Sequence, residues 1–170
     1  MNPSRVRGIL SRMKIPFLKT ITAEAHCDIP CGIYDPTPAK IAARTVVRMI
    51  MQIEDTHPPK DMQSVHEMSH YMNAIGRRVA VKEEHARICK HELLTLWSDF
   101  FKAEHLVKYP NLHELFWNAV KLCSKVKQDV DKESADKLVV AVDEIAKIFY
   151  DAKGDLNRFN AYKEVTDKLF

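Results

Sequence analysis

The sequence predicts an all-α fold, an antiparallel four-helix bundle, over most of its length. Apolar residues recur at spacings of three and four, which is the period of a helix with one buried face. Four glycines in 170 residues are few for a turn-rich β protein. The helical stretches are joined by short connections, and no competing strand pattern is present. A chain of this length is expected to form one domain with a sizeable core.

The first helix is predicted to follow residues 35–38, Asp-Pro-Thr-Pro, which supply capping candidates and prolines suited to early helical positions. Its apolar stripe consists of Ala39, Ala43, Val46, Ile50 and Ile53. Two consecutive prolines, Pro58 and Pro59, cannot continue a helix and are predicted to end it.

The second helix is predicted from about Met62 to Phe101, with residues 102–110 as a connector. Cys89 lies in its apolar stripe and Cys123 in that of the third helix. Both cysteines are therefore interpreted as small core residues in a reducing compartment.

The third and fourth helices are predicted from a cap and a closing glycine. Asn111 followed by Glu114 resembles a capping box at the start of the third helix. The apolar stripe of the fourth helix ends at Phe149, and Gly154 is predicted to close that helix. Residues 155–170 are predicted to add a short extra helix.

The net positive charge of the chain is concentrated at the N-terminus. Five basic residues against Glu24 give residues 1–25 a charge of +4, so the remaining 145 residues carry −1 of the total of +3. A nearly neutral body gives no reason to expect nucleic-acid binding. No run of 18 apolar residues occurs, so no membrane span is predicted.

Residues 1–25 are interpreted as a propeptide that a maturation protease removes after Ala25. The basic residues and the Ala-Glu-Ala ending would also suit a secretory signal. Lys14 and Lys19, however, interrupt the apolar stretch that such a signal needs. Cleavage inside the cell, giving a cytoplasmic protein of residues 26–170, is therefore favoured.

A metal-binding pattern follows directly. The motif HCDIPCG at residues 26–32 places an imidazole and two thiols within six residues, and cleavage would add a free amine at His26. Pro30 and Gly32 suit a tight bend rather than a helix. By spacing alone, Cys27 and Cys31 are compatible with a disulfide, with half of a zinc site, or with neither, since zinc normally needs two more Cys or His ligands.

Residues 26–36, HCDIPCGIYDP, resemble the nickel-binding hook of nickel superoxide dismutases. The resemblance continues in LWSDFFK at residues 96–102, in KYP at residues 108–110 and in the order of helices. It covers nearly all of residues 26–150, and the hook (residues 26–34) is its specific part. The resemblance implies an enzyme that converts superoxide to dioxygen and hydrogen peroxide by Ni(II)/Ni(III) cycling. It also implies a homohexamer whose neighbouring subunits cover the hook.

The resemblance implies a nickel cofactor bound by His26, Cys27 and Cys31. The His26 amine, the Cys27 backbone nitrogen and both thiolates would lie in one plane, with the His26 imidazole axial in the oxidised state. Thiolates and a deprotonated amide stabilise Ni(III) by strong donation, and a planar field of nitrogen and sulfur suits Ni(II). Because cleavage after Ala25 creates the amine ligand, processing and metal loading are coupled.

Supporting roles also come from the resemblance. Tyr34 would be a catalytic residue that, with the backbone around Asp28, limits access to the open nickel face, and Pro30 would shape the hook beside the ligands. Three positions that support the site depart from the family pattern. Ala42 replaces a glutamate and His85 an arginine that together hold the axial imidazole, and Phe100 replaces a common tyrosine.

These departures keep a second function open. His85 is expected to support the axial imidazole more weakly than an arginine, and in a pH-dependent way. A nickel storage or sensor protein with little dismutase activity is therefore the alternative to the enzyme.

A competing motif is HEMSH at residues 66–70, which matches the H-E-x-x-H pattern of zinc peptidases with Glu67 as the base. The sequence offers neither a third ligand at a familiar spacing nor strands that would frame a cleft. A solvated helix start is therefore favoured. The other histidines considered, His91, His105 and His113, are interpreted as surface or capping residues.

Overall fold

The computed structural model describes residues 32–170, which contain six α-helices and no strand. They are α1 (Thr37–Glu54), α2 (Val65–Thr95), α3 (Ala103–Lys108), α4 (Leu112–Gln128), α5 (Lys132–Ala152) and α6 (Leu156–Thr166). A π-helical turn, Leu96–Phe100, follows α2 directly. The predicted all-α class is confirmed.

Four of these helices form the predicted bundle. The pairs α1–α2, α2–α4, α4–α5 and α1–α5 pack against one another, so each long helix has two neighbours. The core is built from the apolar faces of α1, α4, α5 and the second half of α2, with α6 packed on α5 and α1. The apolar face predicted for the first half of the second helix is not part of the core, since Met62, Val65 and Met72 are exposed. Cys89 and Cys123 are buried within it, which confirms their interpretation as core residues. Hydrogen bonding to Cys123 and burial raise the pKa of Cys89 well above its usual value, so its thiol stays protonated.

The start of α1 is stabilised by a residue just outside it. Pro36 is the N-cap and Pro38 lies in the first turn, as expected for a residue that lacks an N–H group. Asp35 accepts a hydrogen bond from the Thr37 backbone N–H at 2.9 Å and another from the Thr37 hydroxyl. The predicted capping role of this segment is therefore performed by Asp35.

Two boundary predictions are wrong. The second helix was expected to run to Phe101, but α-helical hydrogen bonding gives way at Leu96 to the π-helical turn, in which Phe101 N–H donates to the Leu96 carbonyl at 3.1 Å. The connector predicted over residues 102–110 contains α3. Neither feature is visible in the local apolar periodicity.

The predicted capping box at the third helix is also wrong, since the side chain of Asn111 makes no capping bond within residues 32–170. The closing role of Gly154 is confirmed by its φ of 72°, a left-handed conformation that favours glycine. The short helix expected in residues 155–170 is present as α6.

Candidate metal centre and hook root

Most of the predicted site lies outside the described residues. This applies to His26, Cys27, Asp28, Pro30 and Cys31, and to the cleavage point after Ala25. The described site residues are Tyr34 and His85, together with the segment that joins the hook to α1. We call residues 32–36 the hook root.

Tyr34 packs against an aromatic cluster at the end of the bundle. Its ring centroid lies 6.0 Å from that of Phe100, which is 4.4 Å from the Phe149 ring and stacked on His105 at 5.7 Å. Phe100 closes the π-helical turn, and such turns are frequently found at functional sites. The Phe100 ring therefore packs against Tyr34. Phe100 stands where the resemblance places a tyrosine in many family members, so this position has no hydroxyl.

His85 is half-buried on α2, and its Nδ1 is buried without a hydrogen-bond partner among residues 32–170. The Nε atoms of Arg44 and Arg78 are likewise buried without a hydrogen-bond partner among these residues. Ala42 on α1 is 1% exposed and belongs to the core. A carboxylate at that position would therefore be buried.

Asp35 of the hook root contacts Thr37, Tyr150 and Arg158, and sequence reasoning did not identify it as part of the site. One oxygen of its carboxylate, Oδ2, accepts a hydrogen bond from the Tyr150 hydroxyl at 3.0 Å and lies 3.4 Å from a guanidinium nitrogen of Arg158. Its other oxygen receives both bonds from Thr37.

The pKa values at this contact shift in opposite directions. Burial of Asp35 opposes its ionisation, but the hydrogen bonds from Thr37 and Tyr150 outweigh burial and lower its pKa. Burial and the neighbouring negative charge raise the pKa of Tyr150 to about 12. Near neutral pH the contact is therefore a neutral phenol donating to a carboxylate, which is a charge-assisted hydrogen bond.

The competing motif gains no support as a metal centre. His66 and His70 are exposed near the start of α2, with ring centroids 4.5 Å apart. Across residues 32–170 no group of three or more His, Cys, Asp or Glu side chains is placed to hold a metal ion. The cysteines and histidine of the hook therefore remain the candidate donors.

The other histidines are placed largely as expected. His105 Nδ1 accepts a hydrogen bond from the Lys102 backbone N–H at 2.9 Å, which is a capping role at α3. The exposed His113 has its ring centroid 4.5 Å from that of Trp97, and His91 is exposed. Within residues 32–170 no helix is both long and apolar enough to cross a membrane.

Comparison with known proteins identifies the family. The model of the nickel-containing superoxide dismutases matches residues 21–153, which include the whole hook and the four-helix bundle. The chain belongs to this family. The nickel superoxide dismutases of Streptomyces coelicolor and Streptomyces seoulensis are 34% and 35% identical to it over 145 residues. Each match covers 85% of this chain and 98% of the relative.

Solved structures of nickel superoxide dismutase share the fold. A crystal structure with the nickel ligation of the oxidised state is 36% identical and has a TM-score of 0.63. A native structure at 1.30 Å is 34% identical, with a TM-score of 0.62. The matches cover 76% and 75% of this chain and 99% of each solved chain, so part of this chain has no counterpart in them.

The donor set fits the metal of the family. Two thiols, an imidazole and, after cleavage, a primary amine combine soft sulfur with nitrogen, a combination that suits late first-row metals rather than Mg²⁺ or Ca²⁺.

Proposed function

We propose that this chain is a nickel-dependent superoxide dismutase that converts superoxide to dioxygen and hydrogen peroxide. The observation that carries the proposal is the family match over residues 21–153, because it includes the hook together with the bundle. When bound, nickel supplies a one-electron couple that can accept an electron from one superoxide and return it to the next. The residues of the chain bind the metal and tune its potential.

We propose that His26, Cys27 and Cys31 hold the nickel. The thiolates of Cys27 and Cys31 donate charge to the metal and so stabilise Ni(III). Nickel surrounded by water alone is not readily oxidised to that state. The His26 amine exists only after cleavage of the bond to Ala25, so the residue serves as a ligand only in the processed protein.

Tyr34 and His85 are proposed as supporting residues. Tyr34 lies three residues after Cys31 and packs against Phe100. From this position it limits access to the metal, together with the backbone around Asp28. His85 presents a buried imidazole nitrogen that is available to orient the His26 imidazole. Pro30 shapes the loop between the two cysteines.

The biological setting is proposed from the sequence. A maturation protease cuts after Ala25, and the mature protein of residues 26–170 works in the cytoplasm. It assembles as a homohexamer, since a short hook cannot bury itself and neighbouring subunits would cover it.

The deciding experiment produces the chain both with residues 1–25 and with His26 as its first residue, and loads each with nickel. Native mass spectrometry gives the N-terminus, the bound metal and the number of subunits, and pulse radiolysis gives the rate of superoxide loss. The form beginning at His26 is expected to bind one nickel per chain and to disproportionate superoxide, while the uncleaved form does neither.

Two other outcomes are informative. If the processed form binds nickel but removes superoxide no faster than the uncleaved control, the storage or sensor alternative is correct. If the natural mature chain begins elsewhere than at His26, or carries no nickel, the proposed site is wrong.

A further inference from the structure

The C-terminal segment, residues 155–170, lies outside the residues matched by the family model, which end at 153. It is nevertheless packed into the molecule. α6 contacts both α5 and α1, and its residues Tyr162 and Thr166 are buried. The segment therefore adds contacts at the end of the bundle from which the hook root emerges.

One set of contacts reaches the hook root itself. Arg158 approaches the carboxylate of Asp35 at 3.4 Å, beside the hydrogen bond from Tyr150. Phe159 and Tyr162 place their ring centroids 6.5 and 5.9 Å from that of Tyr150, which is 2% exposed. The segment thus helps to shield the Tyr150–Asp35 hydrogen bond from water, and such bonds strengthen when water is excluded.

A second set of contacts holds the first turn of α1. Lys40 is 1% exposed, and its ammonium lies 2.6 Å from an Asp143 oxygen and 3.3 Å from an Asp167 oxygen. Tyr162 donates to the same Asp143 carboxylate at 3.0 Å, and Lys163 bridges Asp143 and Asp167 at 2.7 and 3.0 Å. The charge of the buried Lys40 ammonium is therefore neutralised partly by Asp167, which belongs to the C-terminal segment.

A third contact involves the end of the chain. Arg44 donates to the backbone carbonyls of Asp167 and Phe170 at 3.4 and 3.3 Å. Its guanidinium also lies 4.1 Å from the centroid of the Phe170 ring, a cation–π distance. Contacts at Asp35, Lys40 and Arg44 thus connect the segment to the hook root and to α1.

We propose that residues 155–170 position the hook root, with Arg158 and Tyr162 as the positioning residues acting through Asp35 and Asp143. Asp35 is four residues from Cys31, a span of at most about 14 Å of extended chain. The contacts that hold the Asp35 carboxylate therefore also fix the position from which the chain leads back to Cys31. A restricted loop loses less conformational freedom when it closes on a metal, so bound nickel is retained longer.

The test compares Arg158→Ala, Tyr162→Phe and deletion of residues 155–170 with the unaltered processed protein. The matched control is Lys168→Ala, which removes an ion pair to Glu164 that lies within the segment. The first measurement is hydrogen exchange of the Thr37 amide, which Asp35 protects, in the metal-free protein. The second is the rate of nickel release to a chelator in the loaded protein. The nickel measurement rests on the proposed function, whereas the exchange measurement does not.

Arg158→Ala is expected to speed exchange at Thr37 and release of nickel about threefold each, in the range typical of an exposed charge pair. Arg158→Lys should restore part of both effects. The deletion should have the largest effect, at least about tenfold, because it also exposes Tyr150. Exchange at Leu138 in the core of α5 should change less than twofold in the point variants, which separates positioning from general loss of stability.

The proposal is overturned if the Thr37 amide exchanges no faster in Arg158→Ala and Tyr162→Phe than it does in Lys168→Ala. It is also overturned if exchange at the Thr37 amide becomes faster while the rate of nickel release is unchanged, since the segment would then only stabilise the start of α1. A processed chain that binds no nickel contradicts the proposed function instead, and the Thr37 exchange still decides whether the segment holds the hook root. If the deletion variant does not fold, the two point variants decide.

Discussion

The hydroxyl of Tyr150, near the end of α5, donates a hydrogen bond to the carboxylate of Asp35 at 3.0 Å, although 115 residues separate them in sequence. Asp35 also caps α1 through Thr37. A single carboxylate therefore joins the start of the first bundle helix, the end of the last one and the hook root.

Replacement of Tyr150 tests this junction. Tyr150→Phe keeps the ring and removes the donor, so it is expected to lower the free energy of unfolding by about 1–2 kcal/mol, as for loss of a hydrogen bond to a charged group. Urea denaturation followed by circular dichroism measures the change. Tyr71→Phe, on a half-exposed tyrosine of α2, is the control and should change stability by less than about 0.5 kcal/mol. Equal effects of the two variants would contradict the assigned role.

The raised pKa of Tyr150, about 12, predicts a pH dependence at high pH. In the unfolded chain a tyrosine loses its proton near pH 10, whereas the folded protein retains it until about pH 12. The contribution of Tyr150 to stability is thus fully present below about pH 10 and lost as the pH rises through 12. The difference in unfolding free energy between the unaltered protein and Tyr150→Phe should shrink over this range. A constant difference would show that the phenol is not the titrating group.

A buried lysine that caps a helix is expected to matter for stability. Lys82 on α2 is 2% exposed, and its ammonium donates to the carbonyls of Val126, Lys127 and Asp129 at 2.6, 2.9 and 2.9 Å. Lys82→Met keeps the aliphatic volume but leaves these carbonyls without that donor, at a cost of about 3 kcal/mol.

The control for this change is Lys90→Met on the same helix. Lys90 makes one contact across the same interface, to the Ser124 hydroxyl at 3.1 Å, and its loss should cost less than about 1 kcal/mol. Thermal unfolding of both variants measures the difference. If Lys82→Met were no more damaging than Lys90→Met, the capping explanation would be wrong.

The departures at Ala42 and His85 predict a coupled effect. Ala42 is 1% exposed, so Ala42→Glu alone buries a carboxylate and should destabilise the protein by about 2–5 kcal/mol. Adding His85→Arg should recover part of that loss if the two side chains pair. If residues 42 and 85 support the His26 imidazole as proposed, the double variant should also change the Ni(III) paramagnetic resonance spectrum of the nickel-loaded protein. Additive stability effects and an unchanged spectrum would refute this account.

Substitution of the cysteines separates ligands from core residues. Cys27→Ser and Cys31→Ser are each expected to abolish nickel binding and activity, because a hydroxyl does not replace a thiolate as a ligand. Cys123→Ala should retain nickel while lowering stability by about 1 kcal/mol, since Cys123 is buried. The double variant His66→Ala/His70→Ala should also retain nickel. Elemental analysis decides each case, and full turnover in either hook variant would exclude the proposed mechanism.

The helices were predictable because amphipathic periodicity is local. The stripe from Ala39 to Ile53 and the proline pair after it placed α1 nearly as observed, and Gly154 marked the end of α5. The π-helical turn at Leu96–Phe100 was not predictable, since the alternative hydrogen bonding accompanies a particular packing of Phe100 on Phe149 and Tyr34. The side-chain capping bond expected at Asn111 is also not formed among residues 32–170, although Asn111 is the N-cap residue of α4.

The sequence by itself determined the fold class, because amphipathic periodicity is local, and it predicted the donor residues of the hook from its resemblance to a family motif. It did not indicate that Asp35 supports the hook root. That role depends on Tyr150 and Arg158, which lie more than a hundred positions away and reach Asp35 only once the bundle and α6 have assembled. Hydrogen bonds and charge pairs act over a few ångströms, so only the tertiary structure decides which distant side chains form them.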